Sequence, residues 1–151
     1  MKKRNIDHYG INAKEALKIL SLSDNKQRNN ALTETAKLLK ANIYQILEAN
    51  KSDIENSKRK SMSSSFIDRL SLDKKRIYSI VDCLMDISKL EDPLNKVLST
   101  WDRPNGLNIS KISVPLGVIG IIYESRPNVT IDAGALCIKS GNTCILRGGS
   151  D

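Results

Sequence analysis

Between Gly117 and Tyr123 the chain reads Gly-Val-Ile-Gly-Ile-Ile-Tyr, an uncharged run followed by the polar turn Glu124-Ser125-Arg126-Pro127-Asn128. A run of that length makes one strand and is too short to cross a membrane. Its uniform apolarity predicts burial on both faces, as in a parallel sheet. Pro127 disfavours helix at Arg126 and pre-sets φ for a first helical turn, so the strand hands over to a helix from about Asn128 to Ser140. The pattern places Val129, Ala133, Leu136 and Cys137 on the inward stripe of that helix, and Ser140-Gly141-Asn142 closes it with a glycine free to take a left-handed conformation. A second short strand, Thr143 to Leu146, follows and ends in Arg147-Gly148-Gly149-Ser150.

Strand, helix and strand in about thirty residues is a βαβ unit. Such crossovers make parallel sheets whose ligand sites lie beyond the carboxyl ends of the strands. The turns after Tyr123 and after Leu146 are therefore the places to look. Each carries an arginine, and the second adds two glycines and a hydroxyl. Glycines let a backbone approach a phosphate closely, and an arginine fork takes two phosphate oxygens at once. On composition alone the alternative stays open that Gly148 and Gly149 merely turn the chain.

A chain of 151 residues, 40% hydrophobic and 27% charged, has the make-up of a globular domain with one core. No apolar run reaches membrane-spanning length, and Met1-Lys2-Lys3-Arg4 leads into polar residues in place of a signal-peptide core, so a cytoplasmic protein without membrane contact is expected. Cys83, Cys137 and Cys144 each sit in an apolar pattern without metal-ligand spacing, and the expected role of all three is that of small buried hydrophobes. The single histidine, His8, has no second ligand nearby, and no metal site is expected. The net charge of +7 raises nucleic acid as a partner, yet basic residues are interspersed with acids on helical faces and aromatic residues are 4% of the chain, too few for base stacking. The basicity reads as solvated surface.

Upstream, Ile6, Tyr9, Ala13, Ala16, Leu17 and Leu20 recur at helical spacing and predict a helix ending near Ser21. Ser23 or Asp24 caps a second helix, to about Ala41, with Leu32, Ala36 and Leu39 inward; a third from Asn42 buries Ile43, Ile46 and Leu47. Ser52 to Ser65, rich in serine and lysine, reads as a loop or loosely held helix. Phe66, Ile67 and Leu70 form a short apolar helical turn, and Ile77, Ile80, Val81, Leu84 and Met85 make the strongest helical stripe, ending near Leu90. From Val97 the period changes to two, and Asn105-Gly106 predicts a β-ribbon turn. Two parallel strands are half of a nucleotide-binding sheet at best, so the expectation is an incomplete α/β domain: helices over 1–93, a β-ribbon over 94–114 and one βαβ cofactor-binding unit over 115–151.

The strings Arg103–Leu107 (RPNGL), Val114–Thr130 (VPLGVIGIIYESRPNVT), Asp132–Asn142 (DAGALCIKSGN) and Ile145–Ser150 (ILRGGS) closely resemble the γ-glutamyl phosphate reductase family of the aldehyde dehydrogenase superfamily. Weaker echoes lie in Leu47–Asp53 (LEANKSD), Asp68–Leu72 (DRLSL) and Glu91–Pro93 (EDP). The resemblance implies an aldehyde-dehydrogenase-like, Rossmann-type cofactor domain, a β-ribbon of oligomerisation type, and the proline-biosynthesis reaction in which NADPH reduces L-glutamyl 5-phosphate to L-glutamate 5-semialdehyde and phosphate. It implies a cysteine thiolate that displaces phosphate. That cysteine has no counterpart here, so the resemblance covers the N-terminal portion of the family and the chain alone is expected to be inactive.

Carried over residue by residue, the resemblance makes Arg126 and Asn128 the candidates to orient the acyl phosphate or stabilise an oxyanion. It makes Glu124, Ser125, Arg147, Gly148, Gly149 and Ser150 the cofactor-binding candidates, with Arg147 and Ser150 suited to the ribose 2′-phosphate of NADPH. A surface arginine and a helix cap are the plainer readings of Arg126 and Asn128. Ser61 and Asn95 stand where the family usually has glycine, which puts the geometry of those loops in question. Two alternatives to a reductase segment remain: an assembly module that pairs its sheet edges with a C-terminal chain or forms a homo-oligomer, and a basic nucleic-acid-binding protein.

Overall fold

A computed structural model describes residues 6–149 of the chain. Five helices come first: α1 (Ile6–Leu20), α2 (Asn25–Ala41), α3 (Ile43–Arg59), α4 (Ser64–Leu70) and α5 (Lys74–Lys89). The start signals are local. Asp24 caps α2 by accepting from the Gln27 amide while the Gln27 side chain accepts from the Asp24 amide, and Asp73 caps α5 by accepting from the Arg76 amide. Ser63 does the same for α4.

Of the two readings open for the segment from Ser52, loop or loosely held helix, the helical one holds as far as Arg59, where it is the second half of α3. Its buried positions include Asn50 and Ser57, at 4% and 1% exposure, so the inward stripe is partly polar and escapes a hydrophobic pattern. Asn50 earns its place by bonding: its amide donates to the Leu70 carbonyl at 2.8 Å and its Oδ1 accepts from the Leu72 amide at 2.7 Å. Those bonds fasten α3 to the α4–α5 turn.

The core is built on α2 against α5, with Leu32, Ala36, Val81, Leu84 and Ile87 buried together with Ala135 of a sixth helix. Each large apolar side chain so buried is worth ~1.5–3 kcal/mol. Strands β1 (Val97–Asp102) and β2 (Asn108–Ile112) form an antiparallel ribbon, with Trp101 opposite Ile109 and Gly106 at φ 81 in its turn. Every residue of both strands is exposed.

Strands β3 (Val118–Ile122) and β4 (Thr143–Arg147) pair in parallel around α6 (Pro127–Lys139), which gives the expected βαβ unit. One expectation for it fails, and a second holds for Cys137 but not for Leu136. β3 is not buried on both faces: Gly120 is exposed and Ile122 is 87% exposed, because among the described residues β4 is the one strand paired with it. The inward face of α6 carries Ala135, Cys137 and Lys139, while Leu136 is 51% exposed. α6 packs on α5 and α2 as well as on β4, so its buried arc faces two directions and Leu136 falls between them.

Lys139, 2% exposed, sends Nζ to Asn25 Oδ1 at 3.0 Å, Asn29 Oδ1 at 2.7 Å and the Ser88 carbonyl at 3.3 Å. Beside it Arg28, equally deep, takes both Asp92 carboxylate oxygens at 2.8 Å. These two cations lock α6, α2 and the end of α5 together. Burial, more than its neighbours' charges, holds the Lys139 pKa below the ordinary lysine value. The α6–β4 turn is equally determined. Gly141 has φ 69, and a Cβ there would stand 2.7 Å from Leu94 Cδ1. Asn142 accepts from the Gly117 amide at 2.8 Å and so ties the start of β3 to the start of β4.

Candidate functional site

Parallel pairing brings the carboxyl ends of β3 and β4 side by side: Ile122 is opposite Arg147, and the Tyr123 amide donates to the Arg147 carbonyl at 3.1 Å. The two sequence-selected turns are therefore neighbours. A cleft of about 510 Å³ opens on the α4–α5 side, lined by Arg126, Asn128 and Asp132 from the second half of the unit and by Asp68, Arg69, Ser71, Leu72, Arg76, Ser79, Ile80 and Cys83 from α4, α5 and their connection. Arg147, Gly148 and Gly149 lie outside that lining, and Ser150 lies outside the described residues.

The first turn is held in a particular shape. Ser125 is 3% exposed and has φ 48, a left-handed conformation that an L-residue takes at a cost of roughly 1–3 kcal/mol. Its Oγ accepts from Arg69 Nε at 3.3 Å, across 56 positions of sequence. Ser125 thus faces α4, whereas Glu124 and Arg126 are exposed on either side of it. Arg126 is the N-cap residue of α6, and no side chain caps that helix end. Asn128 is not the cap. It sits inside the first turn and donates Nδ2 to Asp132 Oδ2 at 3.0 Å, one helical turn on.

The charges of the cleft sort themselves by these bonds. Arg76 is spent on Asp68 Oδ1 at 2.9 Å and on the Ser71 carbonyl at 2.7 Å. Asp132 accepts from Asn128, and its charge bears on the Cys83 thiol. Among the described residues neither Arg69 nor Arg126 is in an ion pair. Two of the arginines that line the cleft are thus without an ion-pair partner among the described residues.

The thiols are placed otherwise than as three core hydrophobes. Cys137 is buried, but Cys83 and Cys144 are half-buried, and Cys83 shares the cleft with Arg126. Partial burial, then the negative charge and hydrogen bond of Asp132, push the Cys83 thiol above its ordinary pKa. Burial, with the neighbouring Cys144, pushes Cys137 up to about 11. Both stay protonated at neutral pH, the wrong state for a nucleophile. Among the described residues no cluster of His, Cys, Asp and Glu could hold a metal, and no helix is long and apolar enough to cross a membrane.

At the second turn the exposed Arg147 folds its guanidinium back onto the Gly148 and Gly149 carbonyls. The Tyr123 ring stands 3.9 Å from where a Cβ of Gly148 would lie, and its hydroxyl contacts Thr130 Oγ1 of α6 at 2.5 Å. Sequence reading missed Tyr123, Arg69, Asp132 and Cys83 as parts of the two sites. For Arg69 a signal existed, since it lies in the Asp68–Leu72 string.

A parallel βαβ unit with an arginine-bearing turn beyond each strand places the chain among open α/β ligand-binding folds. Comparison with known proteins narrows this. No protein-family model matches the chain. It is 54% identical over 142 residues to the gamma-glutamyl phosphate reductase of Clostridium tetani, covering 94% of this chain and 33% of that protein. It is 52% identical over 151 residues to that of Clostridium novyi, covering 97% and 36%. Its fold matches the crystal structure of gamma-glutamyl phosphate reductase from Thermotoga maritima with a TM-score of 0.89 and 41% identity, over 91% of this chain and 33% of that one. The Saccharomyces cerevisiae enzyme follows at 0.88 and 38%, over 92% and 35%. By sequence and by fold alike, the chain is similar to the N-terminal third of γ-glutamyl phosphate reductases, and it spans about a third of their length.

The structure also answers the question raised by Ser61 and Asn95. Both take positive φ, 54 and 58, so these two loops adopt the left-handed turn that glycine would provide.

Proposed function

We propose that this chain supplies the N-terminal part of an NADPH-dependent reductase of L-glutamyl 5-phosphate, an enzyme of proline biosynthesis. The observation that carries the reading is the pair of arginine turns side by side beyond parallel strands, in a chain that matches reductases over nearly its whole length. Arg126 and Asn128 would meet the acyl phosphate, their cationic and amide groups opposing charge that builds on the carbonyl oxygen.

The second turn fits the cofactor: Arg147 is cationic and exposed, and Gly148 presents no side chain to a ligand that approaches the backbone. Arg147, Gly148, Gly149 and Ser150, with Glu124 and Ser125 across the strand ends, would hold it. Arg147 would select NADPH through the 2′-phosphate. The cofactor supplies the hydride when bound.

Cys83 and Cys137 are unsuited to displace phosphate, since each is held protonated. With no counterpart in it of the family's reactive cysteine, the 151-residue chain by itself is expected to show no turnover. The open edges of the β3–β4 sheet and the exposed apolar side chains of the ribbon, Val97, Leu98 and Trp101, favour a companion reading in which the chain is completed by a C-terminal part and self-associates through the ribbon. Co-expression with the remaining two thirds of the Clostridium novyi relative tests both. A soluble complex that oxidises NADPH with glutamyl phosphate is expected. Turnover by the chain alone, or a soluble complex without turnover, would overturn the reading.

A further inference from the structure

We propose that Arg69 and Arg126 together form an oxyanion seat in the α4–α6 cleft, taking the phosphate or carboxylate group of an acyl phosphate substrate. The two reach the same 510 Å³ cleft from different elements, Arg69 from the last turn of α4 and Arg126 from the β3–α6 turn. Arg69 has a divided role. Its Nε is used on Ser125 Oγ, which fixes the guanidinium plane, and among the described residues no hydrogen bond uses its two Nη atoms. A guanidinium anchored through Nε presents its remaining edge as a preset pair of donors, the geometry that a phosphate or carboxylate accepts bidentately.

Asp68 is paired with Arg76, and Asp132, held by Asn128, keeps its negative charge, but the arginines of the lining outnumber its carboxylates three to two. The first amides of α6 add positive potential at the same rim, with no side chain capping them. The strained Ser125 has its explanation here: its left-handed turn sets Arg126 beside the residue that holds Ser125 in place. Arg69 is thus a positioning residue for the turn and a second cation for the ligand.

The inference rests on reading this cleft as the substrate end of a reductase site, but its test needs no turnover. The isotope-labelled 151-residue chain is titrated with inorganic phosphate, with L-glutamate, and with potassium chloride at matched ionic strength, following amide and Arg Nε–H signals by NMR. Saturable shifts at Ser125, Arg126, Asn128 and Arg69 Nε–H with phosphate assign the seat to the phosphate end. The same shifts with glutamate alone assign it to the carboxylate. Equal shifts with chloride, or none, overturn the proposal.

R69Q is expected to weaken anion binding at least about tenfold, the loss of one charge-assisted bond. K75Q, which removes a charge from the exposed Lys75 outside the cleft, is expected to leave it unchanged. Equal effects of the two would make the binding a general charge effect and sink the seat. Should R69Q fail to fold, R126Q, whose side chain is exposed, carries the same comparison. Saturable binding beside an inactive complemented enzyme would retain the seat and remove the proposed activity, and the converse result would remove the seat alone.

Discussion

Lys139→Met is the substitution that bears most on how the βαβ unit is held to the helices. It keeps the length and apolar stem of the side chain but removes the ammonium that reaches Asn25, Asn29 and Ser88. The two asparagines are half-buried and can turn to water, whereas Ser88 is 8% exposed and its carbonyl loses a partner. An unsatisfied buried acceptor costs about 1–3 kcal/mol. Taking one member out of a buried charged network costs about 3–5 kcal/mol. Against this stands the relief of no longer desolvating an ammonium, the term that depresses the Lys139 pKa.

The net expectation is a loss of about 2–3 kcal/mol. With a urea slope near 1.5–2 kcal/mol per molar, the midpoint falls by ~1–2 M, read by circular dichroism at pH 7. The pH dependence has a definite sign. A lysine whose folded pKa lies below the unfolded one sheds its proton first in the native state, so between those two values the unfolded chain binds more protons and stability rises with pH. The wild-type chain is therefore expected to gain on K139M as pH approaches the ordinary lysine pKa. A midpoint equal to or above wild type at pH 7 would refute the reasoning and show the ammonium to be a cost that the three oxygens do not offset.

Three further outcomes follow from the same coordinates. Ser61→Gly relieves a left-handed L-residue worth about 1–2 kcal/mol at the expense of ~0.4–1 kcal/mol in unfolded-chain entropy, so it stabilises by about 0.5 kcal/mol, while Asn95→Gly is near neutral because asparagine tolerates that region; thermal melts compare the two. Gly141→Ala meets both φ 69 and Leu94 at 2.7 Å and is expected to cost ~2–3 kcal/mol in a urea titration, with a loss under about 0.5 kcal/mol contradicting the packing. Cys83 should alkylate more slowly than a free thiol at neutral pH and speed up only above the ordinary thiol range, since burial and then Asp132 hold its proton; peptide mapping after iodoacetamide treatment reads this, and rapid labelling near neutrality would contradict it.

The parts of the fold written in neighbouring residues were readable in advance. Ser23 or Asp24 announces α2 through a cap within one turn, which Asp24 makes, and Asn105-Gly106 announces the ribbon. What misled was polarity serving a distant partner. Asn50 and Ser57 carry the buried face of α3, and Ser57 does so inside the serine-rich segment that left loop and helix both open; Lys139 lies inside while Leu136 lies outside because two of its three partners stand more than a hundred residues upstream. β3 looked doubly buried since apolarity records the sheet that a strand is suited to, not the partners it has among these residues. Of the candidate site, Arg126 was visible from the turn, and Asn128 came with the family resemblance. Arg69 and Cys83 reach the same cleft through packing of α4 and α5 on α6, which no local spacing encodes.

The most direct test exchanges the matching third of the Clostridium tetani relative for this chain and measures phosphate-dependent reduction of NADP⁺ on glutamate 5-semialdehyde. If the two arginine turns and their cleft do what is proposed, the exchanged enzyme works at a rate of the same order as its parent and loses that rate with R126Q. A folded, oligomer-competent exchange that is silent in this assay would contradict the account.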